Sequence, residues 1–295
     1  MQPGGKLGVL GCGAMAEALV SGWLAQGLWE AAQILGADPA AARREAFSRL
    51  GARVTADNAA LAAHADLLLV AVKPQHMTVA LASVQSALRA ETLVLSIAAG
   101  VTTQQIEALV GSAQPVVRAM PSILHQVGQG TAGICGGSAA SAEQVEQVAA
   151  LFRAIGVALV VEEKVMDAVT ALAGSGPAFV AAFIEALADG GVHVGLPRAA
   201  ARELAAQVAA GTGAWLRTSA GSPAELKDLV SSPGGTTIAG LRALEAGGLR
   251  SAAMEAVIAA AERSRQLAAP PDTGGSAPAE RLMPGPLGGA PSGCR

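Results

Sequence analysis

Between Lys6 and Glu163, short apolar runs alternate with segments whose apolar positions recur every three or four residues. Lys6-Leu7-Gly8-Val9-Leu10 reads as a first strand, and a helical pattern follows from about Met15 to Gln26. A short strand from Gln33 to Ala37 precedes a helix from Ala40 to Leu50, and Arg53-Val54 come before Asp57-Asn58. Asp66-Leu67-Leu68-Leu69-Val70-Ala71-Val72 is apolar on both faces, which predicts a buried parallel strand. Leu93 to Ile97 and Pro115 to Met120 repeat that pattern with a helical stretch between them, and Gly130 to Cys135 and Gly156 to Val161 are further strand candidates. Strands alternating with helices predict a parallel sheet covered on both faces. After Glu163 the period changes: Met166 to Leu267 is helical in pattern, punctuated by Gly and Pro. Ala269 to Arg295 is rich in Pro and Gly and reads as a disordered tail without a part in chemistry. The expected division is therefore 1–163, 164–268 and 269–295.

Composition narrows the function. Of 295 residues, 52% are hydrophobic, and much of that is alanine, which suits helices and close helix contacts. The longest uncharged apolar stretch, Ala168 to Ile184, is interrupted by Gly174-Ser175-Gly176-Pro177, so no transmembrane helix is expected. The first residues lack the pattern of a signal peptide, and a cytoplasmic location is the expectation. A net charge of −3, with four Phe, three Trp and no Tyr, argues against nucleic-acid binding, which needs basic charge and stacking rings. Cys12, Cys135 and Cys294 are too scattered for a disulfide framework or a structural metal site, and no metal is expected.

The first chemical signal is Gly11-Cys12-Gly13-Ala14-Met15-Ala16, between a strand and a helix. The spacing Gly11-x-Gly13-x-x-Ala16 is a Rossmann dinucleotide turn, in which glycines allow the tight turn and the approach of a pyrophosphate. The helix N-terminus adds free N–H groups and a favourable dipole. Cofactor preference stays open at this level. Asp38, after Ala37, fits the ribose hydroxyls of NAD or an N-cap for the next helix. Arg43 and Arg44 fit a 2′-phosphate or a solvated helix face. Cys12 is read as a small residue filling a small space in preference to an activated thiol.

Two helical-region stretches are more specific: Thr170-Ala171-Leu172-Ala173-Gly174-Ser175-Gly176-Pro177-Ala178-Phe179, and Lys227-Asp228-Leu229-Val230-Ser231-Ser232-Pro233-Gly234-Gly235-Thr236-Thr237. The second is a loop-to-helix junction whose successive N–H groups form a natural carboxylate cradle. Together with the glycine turn, Ala71-Val72-Lys73-Pro74-Gln75, Ser96-Ile97-Ala98-Ala99-Gly100-Val101, Arg118-Ala119-Met120-Pro121 and Ile184-Glu185-Ala186-Leu187-Ala188-Asp189-Gly190-Gly191, they make the chain resemble the pyrroline-5-carboxylate reductase family over roughly residues 6–267.

The resemblance implies an α/β Rossmann-type parallel sheet domain followed by an all-α dimerisation domain. It implies reduction of 1-pyrroline-5-carboxylate to L-proline, the last step of proline biosynthesis, with NADPH as cofactor and NADH as the alternative. Gly11, Cys12, Gly13, Ala14, Met15, Ala37, Asn58, Val72, Lys73, Pro74 and Ala98 are then expected at the cofactor, with Ala98 near the nicotinamide. Val230, Gly234, Gly235, Thr236 and Thr237 are expected at the substrate, a small cyclic imino acid. Thr237 is the candidate partner of the ring nitrogen. Lys73 is the candidate for orienting the nicotinamide or placing positive charge near the substrate carboxylate. The family's helical domain intertwines into dimers, which gather further into decamers, and the charge-poor helices from Ala168 to Leu216 fit a buried interface.

The chain departs from the family where Ser122-Ile123-Leu124 replaces Asn-Thr-Pro, and where Ala173 replaces a frequent serine. His125, beside that loop, is read as a loop histidine rather than a new acid. Two rival readings are a hydroxy-acid dehydrogenase, whose catalytic lysine would have to be Lys227, and a dinucleotide-binding protein without catalysis.

Overall fold

The computed structural model describes residues 5–219 and 221–268. The tail expected at 269–295 lies outside the described residues. Eight strands form one sheet: β1 (Leu7–Leu10), β2 (Ile34–Ala37), β3 (Arg53–Thr55), β4 (Leu67–Val70), β5 (Leu93–Ser96), β6 (Val116–Pro121), β7 (Gly130–Gly136) and β8 (Gly156–Val160). Their order is β3-β2-β1-β4-β5-β6-β7-β8. This order places the strand-order reversal between β1 and β4, the switch point where α/β sheets bind ligands.

Helices cover both faces, as the two-sided apolar strands require. On one face α1 (Ala14–Ala25), α2 (Ala41–Ser48) and α6 (Ala142–Arg153) bury Trp23, Phe47 and Phe152 against Val9, Leu69 and Val117. The Trp23 indole N–H donates to Leu151 O at 3.0 Å, so its polar end is satisfied in the core. On the other face α3 (Asn58–His64), α4 (Met77–Gln85) and α5 (Thr103–Val110) bury Leu61, Leu81 and Ile106 against Leu68, Val70 and Val94.

Two features correct the sequence-based expectation. The sheet is not wholly parallel: β7 runs antiparallel to β6, with Met120 opposite Gly133. The connection 122–129 is too short for a crossover, so the chain can only turn back as a hairpin. And Gly174-Ser175-Gly176-Pro177 does not interrupt the helix. From Glu163 to His193 the backbone is one helical run of 31 residues: α7 (Met166–Val169), a π-helical turn over Thr170–Ser175, then α8 (Gly176–His193). The wider π turn accommodates Pro177 at the start of α8, where its missing N–H and its ring cost least.

The remaining described elements are all helical: α9 (Arg198–Thr218), α10 (Pro223–Leu229), α11 (Thr236–Ala246) and α12 (Leu249–Ala268). They bury little. Ala188, Ala201 and Ala205 form a small core between α8 and α9, while Phe179, Val180, Phe183, Leu187, Leu204, Val208, Met254 and Ile258 stay exposed.

Candidate active site

The sheet's carboxyl edge is built around Gly11. Its φ of +96° is one that L side chains rarely adopt, and a Cβ there would stand 2.9 Å from Ala71 O and 3.1 Å from Val72 Cγ1. Its N–H donates to Ala37 O at 2.8 Å. Gly11, Ala37 and Val72 are thereby brought together from three strand ends. Around Gly13, by contrast, there is room: the nearest atom to a Cβ would be Arg43 Nη1, at 3.6 Å. Gly13 is also the N-cap of α1, and no side chain caps that helix. The first-turn N–H groups therefore face the cleft Gly13 leaves open, and the cradle fits a dinucleotide pyrophosphate.

Asp38 sits where an acidic residue can read a ribose, but both its oxygens are engaged by backbone. Oδ2 accepts from Cys12 N at 3.0 Å and Oδ1 from Ala40 N at 2.9 Å. It is a clamp that shapes the glycine turn, closer to a cap than to a ribose ligand. Arg44 is also occupied, its Nη1 donating to Asp38 O at 2.7 Å and Pro39 O at 2.9 Å. Arg43 is exposed over the turn. Cys12 is wholly buried, and its sulfur would stand only 2.8 Å from a Cβ on Gly36. Burial first, then the Asp38 charge, push its thiol up to about 12, so it remains protonated.

Elsewhere along this edge, Asn58 opens α3 and its Nδ2 donates to Ser83 Oγ at 2.8 Å. Lys73 is exposed directly after β4 and leads a 3-10 turn beginning at Pro74. Ala98 is buried after β5, its N–H within 3.3 Å of Ser96 Oγ.

The altered loop after β6 is ordered from within. Ser122 N donates to Thr131 O at 2.9 Å, and Ser122 Oγ accepts from Thr131 N at 3.0 Å, closing the β6–β7 hairpin. His125 is not a surface loop residue: it is 3% exposed, its ring lies against Phe152, and Nδ1 is 3.3 Å from Ile155 O. A Cβ on Gly130 would overlap that ring at 2.0 Å. Burial lowers the imidazole pKa, which keeps it neutral and makes it a poor acid. The adjacent Phe152 and Ile155, apolar positions of an amphipathic helix and its end, were the sequence signal for a buried partner.

In the helical region, the α10–α11 junction carries Val230, Gly234, Gly235, Thr236 and Thr237. Gly234 has φ +67°. Gly235 N–H donates to Ser232 O at 3.0 Å, which turns the chain into α11. Like α1, α11 starts on a glycine N-cap with no side-chain cap. The helices α2, α4, α7, α8 and α9 also lack a side-chain cap, but their N-cap residues are not glycine, and Asp57, Thr102, Ser141 and Ser222 cap α3, α5, α6 and α10. Val230, Gly234 and Thr236 are exposed, and the hydrogen bonds shaping the loop are local. Lys227 lines a shallow groove with Gly234 and Gly235. Against the sheet, the π turn brings Gly174 to within 3.1 Å of Met120 Cε, measured from a Cβ built on it. No group of three or more His, Cys, Asp or Glu side chains that could hold a metal occurs among the described residues.

A glycine cradle at the switch point of such a sheet, joined to a helical region, defines an NAD(P)H-dependent oxidoreductase. Residues 163–267 match the family model described as pyrroline-5-carboxylate reductase dimerisation, and residues 6–100 match that of NADP oxidoreductase, coenzyme F420-dependent. The chain is 43% identical over 263 residues to a pyrroline-5-carboxylate reductase of Synechocystis sp., covering 89% of this chain and 98% of that one. A reductase of the same name from Methanosarcina acetivorans is 41% identical over 263 residues, with 89% and 97% covered. The chain belongs to the pyrroline-5-carboxylate reductase family. Among solved structures, that of the Coxiella burnetii reductase superposes with TM-score 0.85 at 31% identity, covering 90% of this chain and 99% of that one. The Plasmodium falciparum pyrroline carboxylate reductase, which has NADP bound, gives TM-score 0.82 at 31% identity, covering 91% and 100%.

Proposed function

We propose that two copies of this chain reduce 1-pyrroline-5-carboxylate to L-proline at sites shared between them, the last step of proline biosynthesis. The observation that supports this site most directly is the pair of glycine-started helix N-termini without side-chain caps, one in each half of the chain. One suits a pyrophosphate and the other a carboxylate.

In this reading Gly11 to Met15, Ala37, Asn58, Val72, Lys73, Pro74 and Ala98 hold the dinucleotide. The bound cofactor supplies a hydride to the C=N carbon. Val230 and the N–H groups of Gly234 to Thr237 seat the substrate carboxylate. The Thr237 hydroxyl accepts from the ring N–H, holding the imine carbon toward the hydride donor. A cyclic imine is basic enough to arrive protonated, so no strong general acid is needed. Lys73 orients the nicotinamide or offers positive charge to the carboxylate. Thr237→Ala should lower kcat roughly 100-fold, the usual order for losing one preorganised polar contact at a reacting atom. Unchanged kinetics would remove Thr237 from the mechanism.

NADPH is the proposed cofactor, with NADH a weaker alternative. Asp38 is held by backbone N–H groups, while the Arg43 guanidinium lies free over the turn. Arg43→Ala should reduce kcat/KM for NADPH roughly tenfold, as expected for an exposed charge-assisted contact. The value for NADH should stay within about twofold of the wild type. Equal losses with both cofactors would show that Arg43 does not read the 2′-phosphate.

The exposed apolar faces of α8, α9 and α12 lie in the stretch matching the dimerisation model. Although the run 163–193 is long and apolar enough to cross a membrane, burial between two copies accounts for its character. Assembly of dimers into decamers, a soluble cytoplasmic enzyme without nucleic-acid partners, and the division at 163/164 are the finer parts of the proposal. The direct test is oxidation of NADPH, and separately of NADH, on adding 1-pyrroline-5-carboxylate, with proline identified as product. Dinucleotide binding without turnover would favour the non-catalytic reading.

A further inference from the structure

We propose that Glu163 is a positioning residue for hydride transfer, setting the angle at which the helical half meets the sheet through one carboxylate shared with Thr103 and Arg118. The proposal rests on the proposed reductase function, in which Ala98 lies near the nicotinamide.

An arginine inside a strand apolar on both faces needs a partner. Arg118 is 3% exposed in β6, one position before Ala119 and two before Met120. Its Nη1 donates to Glu163 Oε1 at 3.2 Å. The same Oε1 accepts from Thr103 N at 2.8 Å, and Oε2 accepts from Thr103 Oγ1 at 2.5 Å. Thr103 is the first residue of α5, directly after the turn Ala98–Thr102. Glu163 is the first residue of the long helical run. One carboxylate therefore joins the start of α5, the middle of β6 and the start of the helical half.

The helices beyond Glu163 carry its position onward. Asp167 in α7 accepts from Ser264 Oγ of α12 at 2.6 Å, α12 packs on both α7 and α11, and α11 begins at the Gly234-Gly235-Thr236-Thr237 junction. A shift at Glu163 is thus handed through α7 and α12 to the proposed substrate loop. In the proposed shared site, the error is felt at the partner's nicotinamide. Misplacing reacting groups by about 1 Å can cost 10²-fold in rate, and a joint between two halves is where such a displacement is set.

The test is Glu163→Asp, which keeps the charge for Arg118 and shortens the reach by one methylene. Thr103→Val is the second variant, leaving the Arg118–Glu163 pair intact. Both should lower kcat, Glu163→Asp about tenfold or more, while KM for NADPH stays within about twofold. The deuterium isotope effect on kcat, with NADPH labelled at the transferred position, should rise as the hydride step becomes limiting. Without any cofactor, amide exchange of the Thr103 N–H should quicken in Glu163→Asp, because its acceptor has withdrawn. A kcat within twofold of wild type in both variants, with only melting temperature lowered, would reduce Glu163 to a stabilising contact and overturn the proposal. So would a rise in KM for NADPH matching the loss in kcat, or unchanged exchange at Thr103. Wild-type turnover of 1-pyrroline-5-carboxylate in the same series tests the reaction separately. Faster exchange in the variant with an inactive wild type would fault the reaction and not the joint.

Discussion

Gly11→Val is expected to abolish NADPH-dependent turnover. Two independent costs meet at this position. The φ of +96° is unfavourable for any residue with a Cβ, and strongly so for a β-branched one. The added carbon would stand 2.9 Å from Ala71 O and 3.0 Å from Ala71 C, backbone atoms fixed by the Ala71 N to Leu10 O hydrogen bond at 2.8 Å. Neither β1 nor β4 can yield without losing its ladder, so the turn itself must move. That would break the Gly11 N to Ala37 O bond and withdraw Cys12 N from Asp38. The Kd for NADPH should rise at least about 100-fold, the effect of losing a few kcal/mol of phosphate contacts. Gly13→Ala separates fold from function: with 3.6 Å to the nearest atom, it should leave the melting temperature close to wild type while weakening cofactor binding. Dinucleotide titration beside thermal unfolding distinguishes the two. Wild-type affinity in Gly11→Val would contradict this account of the site.

Phe183→Asp should produce a monomer without measurable turnover. Phe179, Phe183 and Leu187 recur every four residues on α8 and lie on one face, each more than a third exposed. Leu204 and Val208 on α9 and Met254 and Ile258 on α12 extend the exposed apolar surface. Isolated exposed apolar residues are ordinary, but this many on three helices of the stretch matching the dimerisation model fit an association surface. A carboxylate placed there would be desolvated without a partner, a cost of several kcal/mol in each copy. Gly234 and Thr236 are exposed in a single chain, and under the proposed shared site the loss of the partner leaves their loop incomplete. Light scattering and the assay, run on one sample at micromolar concentration, check both parts. A fully active Phe183→Asp dimer would move the interface elsewhere.

The elements around the cofactor were legible because their signals are local. Leu7 to Leu10, the Gly11–Gly13 turn and α1 are contiguous, and the strand, turn and helix each impose their own residue pattern. The features that were not legible depend on residues far apart. Gly130 to Gly136 reads as a strand, but its direction is decided by the length of the 122–129 connection. Asp38 reads equally as ribose ligand or cap until Cys12 N is found on its carboxylate. Glu163 marked only a change of period, although Arg118, charged in an otherwise apolar strand, signalled that a distant acid had to reach it. His125 was legible as a residue of the 122–129 connection but its burial was not, because Phe152 and Ile155 hint at an apolar partner without telling which residue fills the space beside Gly130. The proposed substrate loop was readable as a motif but not as a place, since the hydrogen bonds that shape it are local.

The π-helical turn at Thr170–Ser175 also bears on how this family can vary in length. An α-helix advances about 100° per residue, and a π turn of this kind accommodates a residue that an α-helix would not. Deleting one residue here would restore a regular α-helix and leave everything after it facing nearly the same way, because the wide turn takes one more residue for the same rotation. Phe179, Phe183 and Leu187 would keep their side, whereas a deletion inside α8 would turn every later residue by about 100° about the axis. A one-residue change of length should therefore be absorbed more easily between Thr170 and Ser175 than between Gly176 and His193.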